Sequence, residues 1–96
     1  MPITTVLRNC QKTRVYPTNP PTPPLTGPVV VTAGGAAGDG SVAVTTTPPQ
    51  PIAPVPTGGT SAPFDGAAVT EIYMHYVAAP GKPDEVEVTV DDPNAG

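Results

Sequence analysis

The sequence predicts a mainly β protein: a small antiparallel β-sandwich or partial barrel with long proline-rich extended arms and little or no helix. Three observations carry that prediction. Short Val- and Thr-rich runs recur along the chain, and two alternate apolar with polar residues, the period that turns every second side chain to one face of a strand. Sixteen prolines and ten glycines exceed a quarter of the 96 residues, which places part of the chain in extended or turn conformations. The large apolar side chains are few, with one Phe, three Tyr and no Trp, so a core must be assembled mostly from Val and Ala and is thin. A chain of this length has room for one such core.

Ile3-Thr4-Thr5-Val6-Leu7 and Thr13-Arg14-Val15-Tyr16 are β-prone runs separated by a polar stretch, and they predict a strand pair or one edge strand. Pro17 to Pro28 holds six prolines in twelve residues. That density fixes φ, removes amide donors and predicts a polyproline II arm spanning roughly 37 Å at ~3.1 Å per residue. Val29-Val30-Val31-Thr32 and Ser41 to Thr47 read as two strands around a small-residue loop, with Asp39-Gly40 as the tight turn. Gly34 to Gly40 has the glycine content of a phosphate-cradling loop. It lacks both the Lys-Ser/Thr pair and a following helix, so the turn reading is preferred.

Pro48 to Pro63, again with six prolines, predicts a second extended arm whose Ile52 and Val55 are spaced to dip into a neighbouring groove. Ala67 to Ala79 reads as a strand, with a helix over residues 67–77 as the alternative. Thr70, Ile72, Met74, Tyr76 and Ala78 form its more apolar face. Glu85 to Asp91 alternates without a break, with Val86, Val88 and Val90 inward and Glu85, Glu87, Thr89 and Asp91 outward, the pattern of a half-buried antiparallel strand. Ala79 to Asp84 is read as the hairpin loop joining the two. The chain thus divides into an N-terminal β segment and arm, 1–28, and a small β module, 29–96, with an internal proline-rich loop, 48–63.

Catalytic and ligand chemistry is sparsely represented. His75 is the only imidazole and Cys10 the only thiol, so a nucleophile and base could come together only across the whole chain. His75 is expected at an exposed or interface position, and Cys10 as a free structural thiol rather than part of a disulfide framework. Asp84, Glu85, Glu87, Asp91 and Asp92 lack the regular spacing and glycine of a calcium loop and read as a solvated face. No cofactor, metal or small-molecule substrate is expected.

Charge is distributed unevenly. Arg8, Lys12 and Arg14 fall in the first sixteen residues, and seven of the eight acids fall from Asp65 to Asp92. These three cations are too few for a nucleic-acid footprint, and the net charge of -4 opposes polyanion binding. No stretch approaches a membrane span and no apolar leader opens the sequence, so a chain kept in the cytosol, or exported by assembly, is expected. Pro20-Pro21-Thr22-Pro23-Pro24 has the spacing of a polyproline ligand, and an adaptor that offers it to a binding domain is one functional possibility.

The middle of the chain resembles small β proteins of tailed-phage virions, particularly head decoration or cement proteins. The resemblance rests on Ala36-Ala37-Gly38-Asp39-Gly40-Ser41-Val42-Ala43-Val44, Pro51 to Pro56, Gly59-Thr60 and Phe64-Asp65-Gly66, about a third of the sequence. It implies a non-enzymatic capsid protein that binds and stabilises neighbouring major capsid subunits, located in the virion and assembled in the host cytoplasm. A homo-oligomer is expected. A tail, neck or appendage protein is the related alternative. In either role the expected partner contacts are Pro20, Pro21, Pro23, Pro24, Leu25, Ile52, Val55, Phe64, Tyr73 and Tyr76.

Overall fold

A computed structural model describes residues 2–16 and 25–91, which form two four-stranded antiparallel sheets around one core. The strands are β1 (Pro2–Arg8), β2 (Lys12–Tyr16), β3 (Pro28–Ala33), β4 (Gly40–Thr47), β5 (Val55–Pro56), β6 (Phe64–Asp65), β7 (Glu71–Ala78) and β8 (Glu85–Asp91). The helical content among the described residues is one 3₁₀ turn, Gly66–Ala68, capped by the Asp65 side chain accepting from the Ala67 N–H. The small antiparallel sandwich expected from the sequence is what forms.

One sheet runs β1-β8-β3-β6 and the other β2-β7-β4-β5. A single rule generates both. The chain doubles back so that β1 pairs with β8, β2 with β7, β3 with β6 and β4 with β5. The doubled ribbon then wraps until β3 also meets β8 and β4 also meets β7. Eight strands nested and rolled in this way are a jelly roll.

The nesting corrects three expectations about connections. β7 and β8 do not form a hairpin: they lie in opposite sheets, and residues 79–84 carry the chain from one to the other. β3 and β4 likewise lie in opposite sheets, joined by a loop whose turn sits at Ala36 to Asp39, where the Asp39 N–H donates to the Ala36 carbonyl and Asp39 Oδ2 accepts from the Ala36 N–H. β1 and β2 are not paired with each other either; each is an edge strand, one per sheet. Residues 2–16 therefore belong to the same sandwich as the later strands. Between β1 and β2 the corner turns at Cys10, whose φ of 62° is left-handed, and it is fastened by Asn9 N–H to the Asp84 carbonyl at 2.7 Å and Cys10 N–H to the Tyr76 carbonyl at 2.9 Å.

The second proline-rich stretch is also corrected. Residues 48–63 are folded onto the sandwich instead of reaching away from it. The prolines take positions that need no amide donor, while the amides of their neighbours find backbone acceptors: Thr57 on Gly40, Gly58 on Ala33 and Ser61 on Val31. Most of the first arm, Pro17 to Pro24, lies outside the described residues.

Side-chain alternation places the core as expected. Ile72, Met74 and Tyr76 of β7 face Val86, Val88 and Val90 of β8 across the interior, joined by Ile3, Leu7, Val29, Val31, Val42, Val44 and Phe64. Close packing sets limits on the backbone. A Cβ added at Gly40 would strike the Val77 carbonyl and the Tyr76 ring, so only glycine lets β4 begin against β7. Two buried hydroxyls tie loops to this frame. Thr57 Oγ1 donates to the Ala36 carbonyl at 2.7 Å and accepts from Gly40 N–H, and Thr46 Oγ1 donates to the Pro48 carbonyl at 2.9 Å and accepts from Gln50 N–H.

Candidate functional site

Folding the second proline-rich stretch against the sandwich creates a groove beside β6. Pro51, Ile52 and Pro54 form one wall, and Thr60, Ser61, Pro63 and Phe64 the other. Prolines make these walls stiff, since φ is fixed before anything binds. The hydroxyls on the second wall are committed to the frame: Ser61 Oγ accepts from Val31 N–H at 2.9 Å, and Thr60 Oγ1 meets Thr32 Oγ1 at 3.4 Å. A volume of about 150 Å³ is below the roughly 300–1,000 Å³ of pockets that enclose a drug-sized ligand. It is the size that a single ring or aliphatic side chain fills.

The side chains expected to contact partners are distributed differently from that expectation. Ile52 lies in the groove, half-buried against the core. Leu25, Val55, Phe64 and Tyr76 are buried core residues. With one Phe and three Tyr in the chain, the interior has few other large groups with which to fill its volume, so these serve packing and present almost no surface. Pro20, Pro21, Pro23 and Pro24 lie outside the described residues.

Tyr76 is a structural anchor. Its hydroxyl reaches the Pro83 carbonyl at 3.0 Å and the Asp39 carbonyl at 3.3 Å, so one side chain of β7 holds the β3–β4 and β7–β8 loops together. Burial first, then the carboxylates of Asp39 and Asp84, push its phenol above the ordinary value of 10.0.

Tyr73 alone of the predicted aromatics stands on an outer face. Its hydroxyl donates to Glu71 Oε2 at 2.9 Å, which raises its pKa, and the Lys12 ammonium sits 4.9 Å from the ring centroid. Arg14 is opposite it across the β2–β7 ladder. His75, opposite Lys12, occupies the same outer face, and its buried Nε2 has no hydrogen-bond partner among the described residues. Cys10 is exposed at the corner, its thiol 3.4 Å from Asn9 Oδ1. Among the described residues no three His, Cys, Asp or Glu side chains gather closely enough to hold a metal ion, and no helix is long and apolar enough to cross a membrane.

Sequence reasoning did not single out the outer rim formed by β1 and β2. Arg8, Lys12 and Arg14 are all exposed there, and no carboxylate of the described residues lies within ion-pairing distance of any of them. Charge clustering near the N-terminus was the available signal; that both strands end their sheets on the same side depends on topology.

No protein-family model, curated protein sequence or solved structure matches the chain.

Proposed function

We propose that this chain is a non-enzymatic structural protein of a virion, a cement or decoration protein that binds neighbouring major capsid subunits and stabilises the shell. The observation that carries the reading is the strand order, a small jelly roll, an architecture that recurs in viral shell domains. The argument is one of architecture, since a fold of this kind hosts several functions. One further feature favours it. The Ser61 and Thr60 hydroxyls of the groove are engaged in holding the frame, and its proline walls leave a stiff notch for a partner's side chain. Many weak contacts of this sort, repeated around a lattice, add up to firm attachment.

The test is attachment to particles. Recombinant chain added to heads that lack it should bind at saturating, lattice-defined stoichiometry and raise the temperature at which packaged nucleic acid is released. Particle maps should place it on the shell. Density along a tail or neck would move the protein to that structure instead. A chain that is absent from purified particles and does not bind them refutes a virion role.

A further inference from the structure

The two sheets bury their inner faces in one core, so their outer faces point to opposite sides of the molecule. Those faces differ in charge. On β2-β7-β4-β5 the outward charged residues of the strands are Lys12, Arg14 and Glu71, and Glu71 already accepts from the Tyr73 hydroxyl at 2.9 Å. On β1-β8-β3-β6 they are Glu85, Glu87, Asp91 and Asp65, with Arg8 as the one cation. One face is therefore basic and the other acidic, on a chain whose total charge is -4.

Lys12 and Arg14 stand side by side, opposite His75 and Tyr73 across the β2–β7 ladder, and no carboxylate of the described residues pairs with either of them. On the acidic face Glu85 and Glu87 stand side by side in the same way, both exposed, opposite Arg8 and Val6. The exposed large apolar side chains of the described residues are also divided between the faces. Val77, 48% exposed, lies on the basic one, and Val6, 52% exposed, on the acidic one.

Beside these groups both surfaces are made of short side chains. Ser41, Ala43 and Thr45 of β4 lie next to Val77, His75 and Tyr73, and Thr4, Thr89 and Thr32 form a row across β1, β8 and β3. A second sheet can approach such ground closely, toward the ~10 Å spacing of stacked sheets.

We propose that the basic outer face of one copy docks on the acidic outer face of the next, setting Lys12 and Arg14 against Glu85 and Glu87 and covering Val77 and Val6. The occupant is a second copy because this chain carries both complementary faces. They lie on opposite sides, so each docked copy still offers a free face, and association continues head to tail into a ring or a stack. From the strand lengths and the ~4.8 Å strand spacing a face offers on the order of 500 Å² per copy, the scale of weak, reversible contacts. The inference does not depend on a place in a capsid.

The experiment is sedimentation velocity of the full chain at increasing concentration. At 0.1 M salt a Debye length of about 10 Å screens the net charges of separated copies but not groups in contact, and reversible association beyond a dimer should appear. Salt at 1 M, where that length is about 3 Å, should reduce it. Removing the cations (Lys12→Ala with Arg14→Ala) or the carboxylates (Glu85→Ala with Glu87→Ala) should each weaken association by about tenfold, the scale of two surface ion pairs. All four residues are exposed, so the fold should be retained. An equimolar mixture of the two variants should form a one-to-one heterodimer that does not grow, since each supplies the face the other lacks. That recovery also shows that both variants are folded.

Several results overturn the proposal. They are a chain that stays monomeric up to ~1 mM, association that only one of the two variants loses, and a mixture that fails to pair. A symmetric dimer that does not grow with concentration overturns it as well. Monomers throughout would leave the basic face to an acidic partner of another kind.

Discussion

Removing the Tyr76 hydroxyl isolates the contact that joins two loops while leaving the ring in the core. In Tyr76→Phe one donor is lost, and that donor serves carbonyls at 3.0 Å on Pro83 and 3.3 Å on Asp39. A single proton cannot fully satisfy both, so the shorter bond dominates. The Asp39 carbonyl keeps its bond from Ala79 N–H at 2.8 Å, and Pro83 is exposed, so water can reach the carbonyl the phenol leaves. Neither acceptor is stranded. The loss at pH 7 is therefore that of one ordinary hydrogen bond, about 1 kcal/mol, or about 4–8 °C in Tm for a chain of this size.

The pH dependence supplies an independent check. Because the folded-state pKa of Tyr76 is raised above its unfolded value of 10.0, the unfolded chain releases the proton first as pH climbs. The stability linked to the neutral phenol is fully present below pH 10 and is lost above it as pH rises through the folded pKa. Urea unfolding of both proteins at neutral pH and above pH 10 measures this directly. The stability gap should shrink at alkaline pH, with Tyr73 present in both and cancelling from the comparison. A Phe variant as stable as the parent at pH 7, or a gap that does not change with pH, would refute the assigned role of the hydroxyl.

Other substitutions probe the frame. Leu7→Ala at a fully buried position should cost about 2–5 kcal/mol, read as a fall in the urea midpoint with unchanged slope. Gly40→Ala forces a methyl into the Val77 carbonyl and should destabilise by at least about 1–3 kcal/mol, with circular dichroism showing whether the sheets survive. Thr57→Val keeps the shape but removes the bond to the Ala36 carbonyl. It should cost about 1–3 kcal/mol, and hydrogen exchange should quicken first at Gly40, whose N–H bonds to Thr57 Oγ1.

Much of the strand content was legible because period-two alternation is a local property. Val86, Val88 and Val90 could be assigned inward, and Ile72, Met74 and Tyr76 distinguished from Tyr73 and His75, without any tertiary information. Pairing was not legible in the same way. Alternating strands joined by six residues satisfy a hairpin, with both apolar faces on one side of a sheet, as well as a crossing between sheets, with those faces opposed. What separates the two is that β1 competes for β8 and β2 for β7, and nothing local in residues 79–84 reports it.

The proline-rich stretch was misread for a related reason. Composition reveals that prolines lack donors, but not that Thr57, Gly58 and Ser61 find acceptors on distant strands. Leu25, Val55 and Phe64 looked available because they sit among prolines and polar residues; a core short of large side chains recruits them regardless of neighbourhood. The edge of β1 became visible only once strand order was known.

The nested order also governs when the molecule can come into being. β8 lies between β1 and β3, so its sheet has no interior until residues 85–91 have left the ribosome, although β1 emerges first. Until then β1 and β3 wait without their common neighbour, while β4 can already pair with β5 and β7. The other sheet, β2-β7-β4-β5, has all its strands by Ala78 but no complete sheet to face, so the core closes in a late, long-range step, which makes folding slow. A nascent chain stalled before Glu85 should remain sensitive to protease in β1 and β3, and one stalled with Asp91 fully emerged should be resistant there.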